Sequence, residues 1–299
     1  MLSFIISSLL QGFIFAMVAL GVYITFRILD FPDMSVDGTF PLGASVAALC
    51  LTKGINPGLA CLLSFAAGSL GGLATAILHV KLKISNLLSG ILVMIGLYSV
   101  NLRIMGKSNI PLFNYKTIFN ADINPVIVVA VFALCTKVIL DLFLKTKLGF
   151  ILNAVGDNEQ LVTSLGVNKD FVKTVGLMLS NAIAALAGAI MAQSQGFADV
   201  GMGTGTVVIG LAAVILGESV FKKFNKIKNT TMVVIGAVLY KLAIAAALRA
   251  GLNPNDLKLV TALIVIAVLA ANNFEIKGLR NSHKAVKGGV VIASSTKSS

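Results

Sequence analysis

Long apolar runs separated by short polar loops account for most of the chain. A bilayer core of about 30 Å takes about 20 residues of helix to cross. Runs of that length fall near 3–29, 57–80, 85–104, 123–144, 174–196, 204–221, 229–250 and 256–274. A ninth run, 39–52, is too short to cross as a straight helix. It follows "LDFPDMSVDG", residues 29–38, which sets Asp30, Asp33 and Asp37 around Pro32 in a region otherwise poor in charge. Pro32 lacks an N–H and Gly38 loosens the chain. The pattern therefore predicts a broken helix, with 39–52 as one half and the acidic stretch as the break. Irregular backbone survives at membrane depth only where protein or a water-filled cavity satisfies its polar groups. Asp33, Ser35 and Asp37 then either bond freed backbone amides or line a substrate path; a plain cytoplasmic loop is the third reading.

Composition strengthens this picture. The 299 residues are 57% hydrophobic and 12% charged, with mean hydropathy +0.94, whereas a soluble domain carries about 25% charged residues. The fold class expected is all-α: a polytopic membrane protein of eight or nine transmembrane segments. The net charge of +12 does not indicate nucleic acid, because the basic residues sit in short loops and set orientation. With the C-terminal tail inside, sixteen Lys and Arg fall on the cytoplasmic side and six outside; Lys137 and Lys241 lie within spans. The N-terminus is then outside, if 39–52 counts as a crossing. "MLSFIISSLLQGF" has no basic n-region and reads as a retained first span. Residues 1–276 form the membrane domain, and 277–299 a basic cytoplasmic tail expected to be disordered.

Candidate chemistry is sparse. Cys50, Cys61 and Cys135 read as packing thiols, and His79 and His283 are isolated, so no metal site is expected. "GKS" at 106–108 resembles the end of a phosphate-binding loop, but Asn101 stands where the first Gly belongs. ATP, if used, belongs to another polypeptide. Lys137 and Asp141 are four apart and should pair. Lys241 should snorkel, pair with a carboxylate such as Glu218, or serve the substrate path. Ser180, Ala184, Gly188 and Ala192 form a small-residue stripe, with Gly68 and Gly72, and Ala213 and Gly217, as others; these predict close helix packing.

The longest cytoplasmic connection, 145–173, predicts a short helix with Leu161, Val162 and Leu165 on one face. Asp157 would cap it, with Gln160 completing a capping box, and Gly166 would end it. So short a helix buries too little area to hold a membrane, which favours docking to protein.

Several stretches resemble one family. "DMSVDGTFPLGASVAA", "GFILNAVGDNEQLVTSLGVNKDFVKTVGLMLSNAIAALAGAI" and "GTGTVVIGLAAVILGESVF" are similar to segments of the branched-chain amino-acid and ribose permeases of ABC importers. "SGILVMIGLYSVNLRIMG" resembles a bacterial amino-acid uptake branch, with aromatic amino acids among its cargoes. The resemblance runs from about residue 10 to 275 and rests on the order and spacing of these segments. Glu218 departs from it, standing where a small residue is usual. So does "LVTSLG", where an Ala-rich run is common. The extra N-terminal helix of sugar permeases is absent, which leans towards amino acids.

The resemblance implies a type II ABC importer permease in the bacterial cytoplasmic membrane, as a homodimer or a heterodimer of related permeases. Its partners would be a dimer of ABC ATPase subunits and an extracytoplasmic substrate-binding (lipo)protein, besides membrane lipid. This chain would bind no cofactor itself; ATP–Mg would sit on the ATPase. Asp157, Glu159, Leu161, Leu165 and Gly166 would form the coupling helix, and Asp33, Ser35, Asp37, Tyr98 and Asn101 the substrate path. No catalytic residue is expected. Sugar or another small solute is the alternative cargo. A self-sufficient carrier or channel is the rival class, disfavoured because Asp141 and Glu218, the carboxylates in its spans, both have possible basic partners.

Overall fold

The computed structural model describes residues 2–249 apart from 121–122 and 222–226, with isolated positions 259, 262, 263 and 266. It falls into two compact units, Met1–Ala246 and Ala247–Ser299. In the second, Leu259, Leu263 and Ile266 are exposed helical positions. The span expected at 256–274 and the tail expected at 277–299 lie outside the described residues, apart from those positions.

Among the described residues, seven helices are long and apolar enough to cross a membrane. The chain is a multi-pass membrane protein. Helix starts follow local chemistry. The third and fifth helices, α3 (Pro57–Ala76) and α5 (Pro125–Leu144), each begin with Asn-Pro. Asn56 and Asn124 accept from the amides of Gly58 and Val126, while proline at the first helical position forfeits an N–H that would be unpaired anyway. Helix α4 (Asn86–Met105) stops at Gly106, whose φ of 69° is left-handed and whose amide donates to Leu102 O at 2.8 Å. The glycine of "GKS" is thus a helix terminator.

The first helix, α1 (Leu2–Val22), runs on through a π-helical turn, Tyr23–Ile28. The chain then turns back through an irregular stretch into α2 (Val36–Thr52), a helix of 17 residues. The short segment is therefore longer than the 39–52 expected, and what precedes it is non-helical chain. Asp30 has a φ of 50° there, a left-handed value that aspartate tolerates. The Phe31 amide donates to Thr25 O at 2.8 Å, and Pro32 has no amide to satisfy.

The longest helix, α8 (Lys169–Gln195), is the axis of the bundle, packing against α1, α2 and α3. Its predicted stripe is the reason. Ser180, Ala184, Gly188 and Ala192 are all buried. Gly188 meets the Phe40 backbone, Gly43 of α2 meets the Ala185 backbone, and Gly72 of α3 meets Leu177 O. A Cβ at any of these would collide with main chain. Ser180 Oγ donates to Gly21 O at 2.7 Å, which satisfies the polar member of the stripe. Helices α9 (Thr206–Phe221) and α10 (Asn229–Arg249) repeat the device, with Gly217 against Met232 O and Gly236 against Ala213 O.

At one end of the bundle, a two-stranded antiparallel ribbon joins β1 (Asn109–Pro111) to β2 (Phe197–Asp199). At the other, charges pair: Arg27 with Glu218 at 2.9 Å, and Asp141 with Lys137 at 3.0 Å and Lys228 at 3.1 Å. Lys241 departs from expectation. Glu218 is taken by Arg27, and the Lys241 ammonium lies 3.7 Å from the centroid of the Phe15 ring, a cation–π contact.

Candidate substrate path and coupling surface

The irregular stretch before α2 is held by its own acidic residues. Asp33 is buried and accepts from the Ser35 amide at 2.8 Å, the Ser35 hydroxyl at 2.6 Å and Asn181 Nδ2 at 2.8 Å. Asn181 lies midway along α8, and its Oδ1 accepts from the Thr39 hydroxyl at 2.8 Å, with the Ser35 oxygen 3.0 Å away. One amide thus ties the turn to the helix that anchors the bundle. Every polar atom of this knot is paired, which makes burial tolerable.

Asp37 acts on a different helix. Its carboxylate accepts from the amides of Gly205 at 2.9 Å and Val207 at 2.7 Å, and from the Thr206 hydroxyl at 2.8 Å. Those donors belong to the first turn of α9, so Asp37 is an N-cap supplied by a neighbouring helix, and its charge faces the positive end of the α9 dipole. Pro41 leaves the Asp37 carbonyl without its helical donor, and Gly203 approaches that carbonyl more closely than any residue with a Cβ could.

Beside this junction lies a cavity of about 550 Å³, between the start of α2, the second half of α4 and the turn at 200–204. Asp37, Tyr98 and Asn101 line it, with Met34, Pro41, Met94, Ile95, Ser99 and Val200. It opens on a face of α4 where Ile95 and Tyr98 are exposed. The five candidate path residues therefore divide: Asp37, Tyr98 and Asn101 share the cavity wall, whereas Asp33 and Ser35 belong to the buried knot. Asn181 is absent from the sequence-based candidates. Its signal was a lone amide in the middle of an apolar, Ala-rich span.

The connection 145–173 forms two helices, α6 (Lys147–Asp157) and α7 (Glu159–Ser164). Asp157 is the last residue of α6 and not the cap of α7; Asn158 takes that role, its Oδ1 accepting from the Leu161 amide at 3.0 Å. The longer apolar run 147–155 lets α6 reach Asp157, which displaces the cap by one residue. No capping box to Gln160 forms with Asp157 in that position. Gly166 follows α7 with a φ of 77°. The apolar face splits: Val162 is 2% exposed, while Leu161 is 56% and Leu165 72% exposed.

Glu159 fastens α7 to α8 through ion pairs with Lys173 and, at 3.1 Å, Lys169. Burial alone would raise its pKa, but the two ammonium groups outweigh that and hold the carboxyl below the usual glutamate range. Helix α6 meets the turn before α2 directly, because Gly156 lies against Ile28 O and Gly176 of α8 against Leu29 and Leu152 side chains.

Residues 4–270 match the family model described as the branched-chain amino acid transport system / permease component. The chain belongs to this family of ABC permeases. The permease is 52% identical, over 95% of its own length and 97% of the relative's, to the tyrosine transport system permease protein of Clostridioides difficile. It is 34% identical to the uncharacterized protein RP368 of Rickettsia prowazekii, over 90% of this chain and 98% of that one. The galactofuranose transporter permease protein YtfT of Escherichia coli is 26% identical over 84% of the permease and 76% of YtfT.

Proposed function

We propose that this permease is the membrane subunit of an ATP-driven importer in the bacterial cytoplasmic membrane, and that its cargo is an aromatic amino acid of the tyrosine type. The observation that carries the cargo is the 52% identity, over nearly the whole chain, to a tyrosine transport system permease. The apolar wall of Met34, Pro41, Met94, Ile95 and Val200 suits an aromatic side chain better than a sugar. An extracytoplasmic binding protein delivers the cargo, and an ATPase dimer holding ATP–Mg supplies the energy. The permease itself catalyses no bond-making step.

Two copies of the chain form the working unit. The cavity opens on the exposed face of α4, where a second copy would complete a path. Leu161 and Leu165 are the ATPase contacts: exposed leucines on and just after a short helix whose buried side, Val162, fixes it to the permease. Motion imposed on α7 passes through Glu159 to α8, and through Gly156 to Ile28 and the turn that Asp33 holds. The reading is tested by reconstituting the permease with the ABC ATPase and binding protein of its source organism. Tyrosine added to the full assembly should stimulate ATP hydrolysis; a rate indifferent to tyrosine and to the binding protein would overturn it.

A further inference from the structure

One residue of the cavity wall carries an acceptor that no described residue bonds. Asn101 lines the cavity, yet the residue is fully buried. Its Nδ2 donates to Gly38 O at 3.2 Å, which sets the amide's orientation, because the reverse would face two acceptors together. Oδ1 is then left without a hydrogen-bond partner among the described residues. A buried acceptor without a donor is costly, and such groups in a binding cavity are where a ligand's own donor fits. Asp37, on the same wall, differs. Its oxygens already accept from two amides and a hydroxyl of the protein. The neutral acceptor at Asn101 is left for a neutral donor.

Resting on the aromatic amino-acid reading above, we propose that Asn101 is a specificity residue whose Oδ1 accepts the side-chain hydroxyl of a hydroxylated aromatic amino acid during passage. A cargo without that hydroxyl leaves the acceptor stranded, so the permease favours tyrosine over phenylalanine beyond any choice made by the binding protein. A site built to bond a hydroxyl rejects the analogue that lacks it far better than an apolar wall does.

The test is uptake of labelled L-tyrosine and L-phenylalanine by the complete importer in proteoliposomes, with binding protein saturated by each cargo in turn. Asn101→Leu keeps the shape and removes both polar groups. Loss of the Gly38 bond slows both cargoes alike, whereas loss of the acceptor acts on tyrosine alone. The tyrosine-to-phenylalanine rate ratio should fall about tenfold, and Asn101→Thr, which restores a hydroxyl acceptor, should recover part of it. The Thr variant also carries the test if the Leu variant does not fold, since its ratio should exceed that of Asn101→Val. An unchanged ratio in these variants, with both cargoes still transported, overturns the role of Asn101 and leaves the aromatic cargo standing. A wild-type importer that moves neither amino acid overturns both.

Discussion

Asp33 and Asp37 lie four residues apart and fasten different parts of the bundle. Asp33 closes a turn onto α8 through Asn181, while Asp37 caps α9. Replacing Asp37 by Asn keeps an oxygen for Thr206 and Val207 and loses the bond to Gly205. Replacing it by Ala strands the Gly205 and Val207 amides, at about 1–3 kcal/mol for each that stays buried, while the Thr206 hydroxyl keeps Gly203 O at 2.9 Å. Extracted yield and transport should therefore fall partly in Asp37→Asn and collapse in Asp37→Ala. Asp33→Asn should be intermediate, because its new amide would face Asn181 Nδ2. If Asn and Ala abolished transport alike at full yield, a direct carboxylate–substrate contact would replace the structural role. The sequence exposed the need for these carboxylates, since acidic residues beside Pro32 in apolar surroundings require partners. It could not say which donors answer them. Gly205 and Val207 offer backbone amides, invisible in side-chain chemistry, and Asn181 is 148 positions from Asp33.

At the scale of the element, α7 carries a division of labour that periodicity only half reveals. Leu161, Val162 and Leu165 share an apolar pattern, but Val162 alone is committed to the protein's own core. Leu161→Asp and Leu165→Asp should leave insertion and yield unchanged and abolish co-purification with the ATPase, because a charge would enter a buried contact. Val162→Asp should instead lower the yield of the permease itself. Normal ATPase capture by both leucine variants would remove α7 from the interface. The Glu159 ion pairs give this element a pH dependence. A carboxyl whose pKa is depressed on folding adds stability that is fully present above its unfolded value, about 4.3. That stability is lost as pH falls through the lower folded value. Protease cleavage within 158–168 should therefore stay slow at neutral pH, accelerate only in acid, and be fast at neutral pH in Glu159→Gln. The half-exposed pair keeps these effects small. Sequence reasoning placed the cap at Asp157, because it could not see α6 running that far.

For the whole molecule, the apolar runs placed seven crossing helices to within a few residues, and the small-residue stripe correctly marked α8 as a close-packing helix. For Lys241 only the pairing with Glu218 is displaced: a cation's visible partners in sequence are carboxylates, whereas Phe15 offers an aromatic face from a helix more than two hundred residues earlier. The sixteen-to-six distribution of basic residues predicts the orientation. In a background lacking the native cysteines, Cys at Asn158 should be shielded from impermeant thiol reagents in intact cells and Cys at Asn114 labelled; the opposite pattern would invert the molecule. The most direct test of the central claim is uptake of labelled tyrosine into proteoliposomes that hold the permease and its ATPase. The account predicts accumulation that requires internal ATP and external binding protein together. Tyrosine uptake by the permease alone, driven by an ion gradient without ATPase or binding protein, would contradict it.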